Sequence, residues 1–188
     1  AGVEFENFRC ALPPIDSAIS MLRISAAGCK IKDVVGIGSD QTNNFLDCIV
    51  VTTGAHDLTL DNVKLYTGGT PVTGFLRFSA PVSRFTAAGF VAIGSVATAG
   101  VYDDAAANIK NGHFKDCSVI VYGVEKPALV LDVANSTGLV ERSFFAGTMA
   151  ALSGNANFKS GWRLNEVRVL EETVSTAQGG ILPALDVE

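Results

Sequence analysis

The chain has 188 residues, 48% of them hydrophobic and 18% charged, with a formal net charge of −5. That is one domain's worth of chain, with room for a sizeable core. Lys and Arg are scattered singly in an acidic whole, which gives no electrostatic footprint for nucleic acid or for an anionic membrane.

The first residues, Ala1-Gly2-Val3-Glu4, carry neither a basic region nor an apolar run, so no signal peptide is read there. From Phe5 the chain enters a short frame: apolar, any, small polar or charged, small or apolar, any, apolar. It recurs as Phe5-Glu6-Asn7-Phe8-Arg9-Cys10, Ile31-Lys32-Asp33-Val34-Val35-Gly36, Leu60-Asp61-Asn62-Val63-Lys64-Leu65 and Phe85-Thr86-Ala87-Ala88-Gly89-Phe90. Three more copies begin at Phe114, Val140 and Leu164. The anchors at 5, 31, 60, 85, 114, 140 and 164 step by 26, 29, 25, 29, 26 and 24, the near-constant period of a solenoid. Residues 1–10 already match a coil, so no cap is expected there.

Between the anchors, Ala11-Leu12-Pro13-Pro14-Ile15-Asp16 is expected to leave the solenoid as an extended loop, and Gly38–Asn44, Thr67–Gly74, Lys126-Pro127 and Ser153–Ser160 read as turns. Seven and nine residues before an anchor a second apolar pair recurs: Ile24 and Leu22, Phe78 and Leu76, Ala107 and Ala105, Val133 and Leu131, with Thr53 and Val51 as a weaker match. Alternation of period two means strands with one buried face. The charge-free run Phe85–Tyr102 alternates in the same way and carries three glycines, so it reads as strands rather than a membrane span. Ser95–Ala107 is a longer stretch, expected to make a small outward excursion at Asp103-Asp104. The anchors therefore predict an all-β chain of about seven coils, with residues 1–172 in the solenoid and residues 173–188 as a C-terminal arm or cap.

This coil pattern resembles the right-handed parallel β-helix of the pectate-lyase-like superfamily, and within it the short β-helical proteins of bacteriophage virions. The resemblance covers residues 2–172. It implies a right-handed parallel β-helix and a structural role on a virion exterior, after assembly in the host cytoplasm.

Candidate chemical groups are few. Cys10, Cys29, Cys48 and Cys117 lack CxxC spacing and a nearby His, and read as reduced core thiols rather than zinc ligands. The two histidines, His56 and His113, lie beside turn positions; His56-Asp57 lacks a serine placed by any local signature. Carboxylates are weighed because glycoside hydrolysis needs two of them at a fixed separation. The candidates are Asp103-Asp104, Glu171-Glu172 and the ladder Asp33, Asn62, Asp116, Glu166. The ladder recurs at the coil period and reads as stacked polar side chains at a corner. Asn135-Ser136-Thr137 fits the glycosylation sequon and, more simply, a turn.

No catalytic, cofactor-binding or metal-ligating residue is assigned. The expectation is a non-enzymatic structural protein of a bacteriophage virion exterior, a decoration or fibre protein without cofactor. It is expected to self-associate, most simply as a homotrimer, because the high apolar content exceeds what one solenoid core needs. Other virion proteins are the remaining expected partners, together with a host-surface glycan if the chain is a tail-fibre or tailspike segment. The alternative from another class is a polysaccharide lyase or hydrolase.

Overall fold

The computed structural model describes residues 3–7, 9–11, 20–38, 47–68, 71–149, 155–159 and 161–171. The Pro13-Pro14 loop, most of the Gly38–Asn44 turn and the segment 173–188 lie outside them. All named elements are strands, and every pairing among them is parallel, so the chain is a parallel β-solenoid. The charge-free stretch 85–102 is divided among the short strands Thr86–Ala88, Val91–Ser95 and the start of Val101–Asp103.

The main sheet carries the anchor frame. Phe5 pairs with Ile31, Ile31 with Leu60, Leu60 with Ala87, Ala87 with Phe114, Phe114 with Val140 and Val140 with Leu164. Six of the seven expected anchors are in this column. The fourth is Ala87, not Phe85, so the two steps around it are both 27. A slip of two residues keeps a side chain on the same face, and a hydrophobic pattern rewards Phe over Ala. Phe85 still points inward, fully buried, with its ring edge-on to Phe78 at 4.9 Å.

Two residues after each anchor the backbone enters the left-handed region, at Asn7, Asp33, Asn62, Gly89, Asp116, Arg142 and Glu166. This corner shifts the alternation by one, which is why positions zero and three of the frame both face the core. L-residues pay for that conformation, and Gly, Asn and Asp tolerate it best. A second left-handed column, three residues before the anchor, holds Gly28, Asp57, Arg84 and Asn111.

The second sheet stacks Leu22–Ile24, Ile49–Val51, Leu76–Phe78, Val101–Asp103, Leu129–Leu131 and Ala156–Phe158. Three of the expected pairs are displaced: the inward pairs are Ile49/Val51, Val101/Asp103 and Leu129/Leu131. The turn from this sheet to the next anchor varies in length, so a constant offset fails. The expected outward excursion at Asp103-Asp104 is also corrected, because Asp103 ends a strand at an inward position and is only 8% exposed.

The solenoid has about five turns, fewer than the count of anchors implied. A rung of one sheet is not a turn, and the end rungs enclose no core: Phe5 is 47% and Leu164 54% exposed. Between them Phe114 is in ring contact with Phe85 at 5.3 Å and with Trp162 at 5.8 Å. The indole has room because the rungs beside it carry Gly112 and Gly138; a Cβ on Gly138 would lie 2.3 Å from it.

Candidate functional site

The polar groups weighed from sequence are mostly tied from coil to coil. In the main corner Asn62 Nδ2 donates to Asp33 Oδ1 at 2.6 Å, and the Arg142 fork donates to Asp116 at 2.8 and 3.1 Å. In the second corner the Arg84 guanidinium forks onto Asp57, with one bond of 2.7 Å. Each Arg holds its carboxyl partner below the usual carboxylate range. The ladder is therefore explained by backbone geometry: residues that tolerate the left-handed corner stack at the coil period and bond along the stack.

Asp103 differs. Burial pushes its carboxyl up to about 6, opposed by the Asp132 and Val133 amides that donate to it at 3.1 and 3.3 Å. That is towards a general acid's range, but Asp103 ends an inward column of the core. Its neighbour Asp104 faces out and is forked by Arg77, at 3.1 Å from Nε and 2.8 Å from Nη2. Glu171 closes the last strand opposite Gly147, and Glu172 lies outside the described residues.

Arg77 also bonds Asp47, which the sequence reading did not single out. Asp47 is fully buried, accepts from Arg77 Nη1 at 3.3 Å and from the Tyr102 hydroxyl at 2.6 Å. Burial, and then the Asp47 carboxylate, raise the Tyr102 hydroxyl well above its ordinary range; the Asp104 bond does the same for Arg77. The cluster thus ties residues from three successive coils, with the Tyr102 hydroxyl held protonated and Arg77 held charged. Beside them a shallow cavity of about 220 Å³ is lined by Arg23, Thr52, Arg77 and Ser79 among others. The Thr52 and Ser79 hydroxyls donate to the Ile24 and Val51 carbonyls, so neither is presented as a nucleophile. No sequence spacing signals this cluster, because its members come together only when coils stack.

The histidines divide. His56 sits in a turn and its Nδ1 faces both the Ser83 amide, at 3.2 Å, and the Ser83 hydroxyl, at 3.1 Å. Asp57, which would orient it in a nucleophilic triad, is engaged by Arg84 instead. His113 is on the strand Gly112–Lys115 rather than beside a turn, and its Nε2 lies 3.1 Å from Glu141 Oε1 on the next coil. Cys29, Cys48 and Cys117 are buried unpaired thiols and Cys10 is partly exposed; burial pushes Cys48 up to about 12 and Cys117 to about 11. Among the described residues no cluster of three or more His, Cys, Asp or Glu side chains is placed to hold a metal ion. In the sequon segment, Asn135 takes a left-handed turn conformation and the Ser136 hydroxyl accepts from the Ile109 amide.

The main corner also divides the outer surface. Before it the exposed face is charged, with Glu4 bonded to Lys30 and His113 to Glu141. Beyond it the register aligns Ile37, Tyr66, Ile93, Ile120, Ala146 and Leu170 in one outward column. Val35, Lys64, Val91, Ser118, Phe144 and Arg168 form the column beside it. Ile37 is 46% and Tyr66 39% exposed. Comparison of the chain with protein-family models, with curated proteins and with solved structures gives no match.

Proposed function

We propose that this chain is a non-enzymatic structural protein of a bacteriophage virion exterior, a self-associating solenoid of the pectate-lyase-like β-helix class serving as a decoration or fibre protein. The observation that carries the reading is the division of its outer surface. Many polar side chains bond from coil to coil, while beyond the main corner one outward column carries Ile37, Tyr66, Ile93, Ile120 and Leu170, with Lys64, Ser118 and Arg168 interspersed in the column beside it. Monomeric soluble proteins seldom leave such a face bare, and a rigid stack of coils offers it without change of shape.

Imaging of intact particles at side-chain resolution tests the assignment: density for this solenoid on the exterior is the expected outcome, and its absence from the particle overturns it. A polysaccharide lyase or hydrolase would be the reading instead if the purified protein released reducing ends or unsaturated products from host capsule or lipopolysaccharide, with loss on Asp47→Asn or Asp104→Asn. No such release is expected.

A further inference from the structure

Among the described residues the second sheet ends on the strand Ala156–Phe158, which pairs with Leu129–Leu131 on one side only. Its inward residues Ala156 and Phe158 are partly buried, whereas Leu129 and Leu131 one rung earlier are fully buried. We propose that the chain's own C-terminal segment closes this edge, residues 181–183 adding a parallel strand in which Ile181 lies beside Ala156, Leu182 beside Asn157 and Pro183 beside Phe158. This cap concerns the end of the solenoid and is independent of the outer surface that carries the assembly reading.

Chain length selects the segment. Between the end of a main-sheet strand and the start of the next second-sheet strand the chain uses residues 38–48, 67–75, 96–100, 123–128 and 148–155, a connection of 5 to 11 residues. The last main-sheet strand ends at Glu171, so the same connection puts the first residue of a further rung between 177 and 183. Ile181 opens the one apolar run in that window, Ile181-Leu182-Pro183-Ala184-Leu185, directly after Gly179-Gly180. Leu182 then extends an outward column that already holds Val50 and Val130.

Hydrogen-bond direction selects the register. In this sheet the amide of the first inward residue donates forward, Leu22 to the Cys48 carbonyl and Ile49 to the Phe75 carbonyl, both at 2.9 Å. The amide after the inward pair donates back, Thr52 to the Ile24 carbonyl at 2.8 Å and Lys159 to the Leu131 carbonyl at 3.2 Å. Ala156 therefore offers a donor, and Phe158 an acceptor, to a following rung. Alternate residues of a strand address opposite neighbours, so with Ile181 and Pro183 inward it is Leu182 and Ala184 that bond back to this edge. The Pro183 nitrogen faces away from it, where the missing N–H costs no ladder bond and where sheets tolerate proline. In the opposite parity Pro183 takes a back-donating position and a ladder bond is lost. The same proline denies a donor to any further strand, so this end resists edge-to-edge addition of another sheet.

Engineered disulfides read the pairing, in a Cys10→Ser background that removes the one partly exposed thiol. Asn157 is exposed, and paired residues of adjacent strands, about 4.8 Å apart, lie within the Cα separations a disulfide spans. Under mild oxidation at about 1 µM protein, where linked segments meet before separate chains do, Asn157→Cys/Leu182→Cys is expected to close within the chain about tenfold faster than Asn157→Cys/Ala184→Cys or Asn157→Cys/Ser175→Cys. Equal rates for the three would show an unattached segment and overturn the strand. Faster closure at Ala184 overturns the register, and a disulfide-linked dimer gives the edge to another copy's segment and overturns the cap. Moving the proline by one residue, Pro183→Ala/Ala184→Pro in the fast variant, is expected to slow closure about tenfold, and Pro183→Ala alone to leave it unchanged, with Trp162 fluorescence constant throughout. Unchanged closure after the move overturns the parity.

Discussion

Truncating Phe114 to Ala tests whether the anchor column is the core, because the same column contains an exposed control. Phe114 is 1% exposed, with the Phe85, Trp162 and Phe78 rings at 5.3, 5.8 and 6.5 Å. Phe→Ala in a core costs about 3–5 kcal/mol through lost transfer energy and the cavity left behind. Lost ring contacts place this site in the upper half of that range. Leu164 occupies the same column two rungs on but is 54% exposed, so Leu164→Ala removes about half a side chain's burial, roughly 1 kcal/mol. Urea unfolding followed by Trp162 fluorescence reads both, since the only Trp sits against Phe114. The expected result is a much larger midpoint shift for Phe114→Ala, with similar slopes. Equal shifts, or a Phe114→Ala shift worth under about 1 kcal/mol, would refute the assignment of this column to the core.

The remaining predictions concern single sites. Asp103 binds a proton up to pH about 6 when folded, against an ordinary 3.8. The folded state therefore holds more protons in that window, and stability falls as pH rises through it, by up to about 3 kcal/mol, then levels off. Urea midpoints at pH 4, 5 and 7 for the wild type and Asp103→Asn check this, the variant losing that part of the slope. Asp47→Ala leaves the Tyr102 hydroxyl without its acceptor and is expected to cost about 3 kcal/mol, read by thermal unfolding. Gly138→Ala places a methyl 2.5 Å from the Gly112 carbonyl oxygen as well as against the indole. It is expected to cost about 2 kcal/mol and to shift Trp162 emission. Gly89 has a φ of +61°, and a Cβ there would meet the Asn62 backbone only at an ordinary 3.7 Å, so Gly89→Val is expected to cost about 1–2 kcal/mol through backbone strain and Gly89→Asn much less, compared by urea midpoint.

The sequence by itself determined the class of fold and the column that organises it, because a period of about 25 residues and an alternation of two are local properties of the chain. Ile31, Leu60, Phe114 and Val140 could be read as core, and the Asp33–Asn62–Asp116–Glu166 ladder as a corner, from spacing alone. What spacing could not settle was the register where two inward positions compete. Phe85 outscores Ala87 as an anchor, and only the hydrogen-bonded ladder distinguishes residues two apart on one face. The variable turns hid the second sheet in the same way, so that Asp103 read as a loop residue. The outward column from Ile37 to Leu170 keeps the anchor period, six residues after each anchor from Ile31 to Leu164, but only the left-handed corner puts that position outside; the Asp47–Arg77–Tyr102–Asp104 cluster joins residues at different positions of three coils. Only the stacking of coils, which converts a separation of 24–29 residues into one rung, brings such groups together and decides which apolar side chains are left facing out.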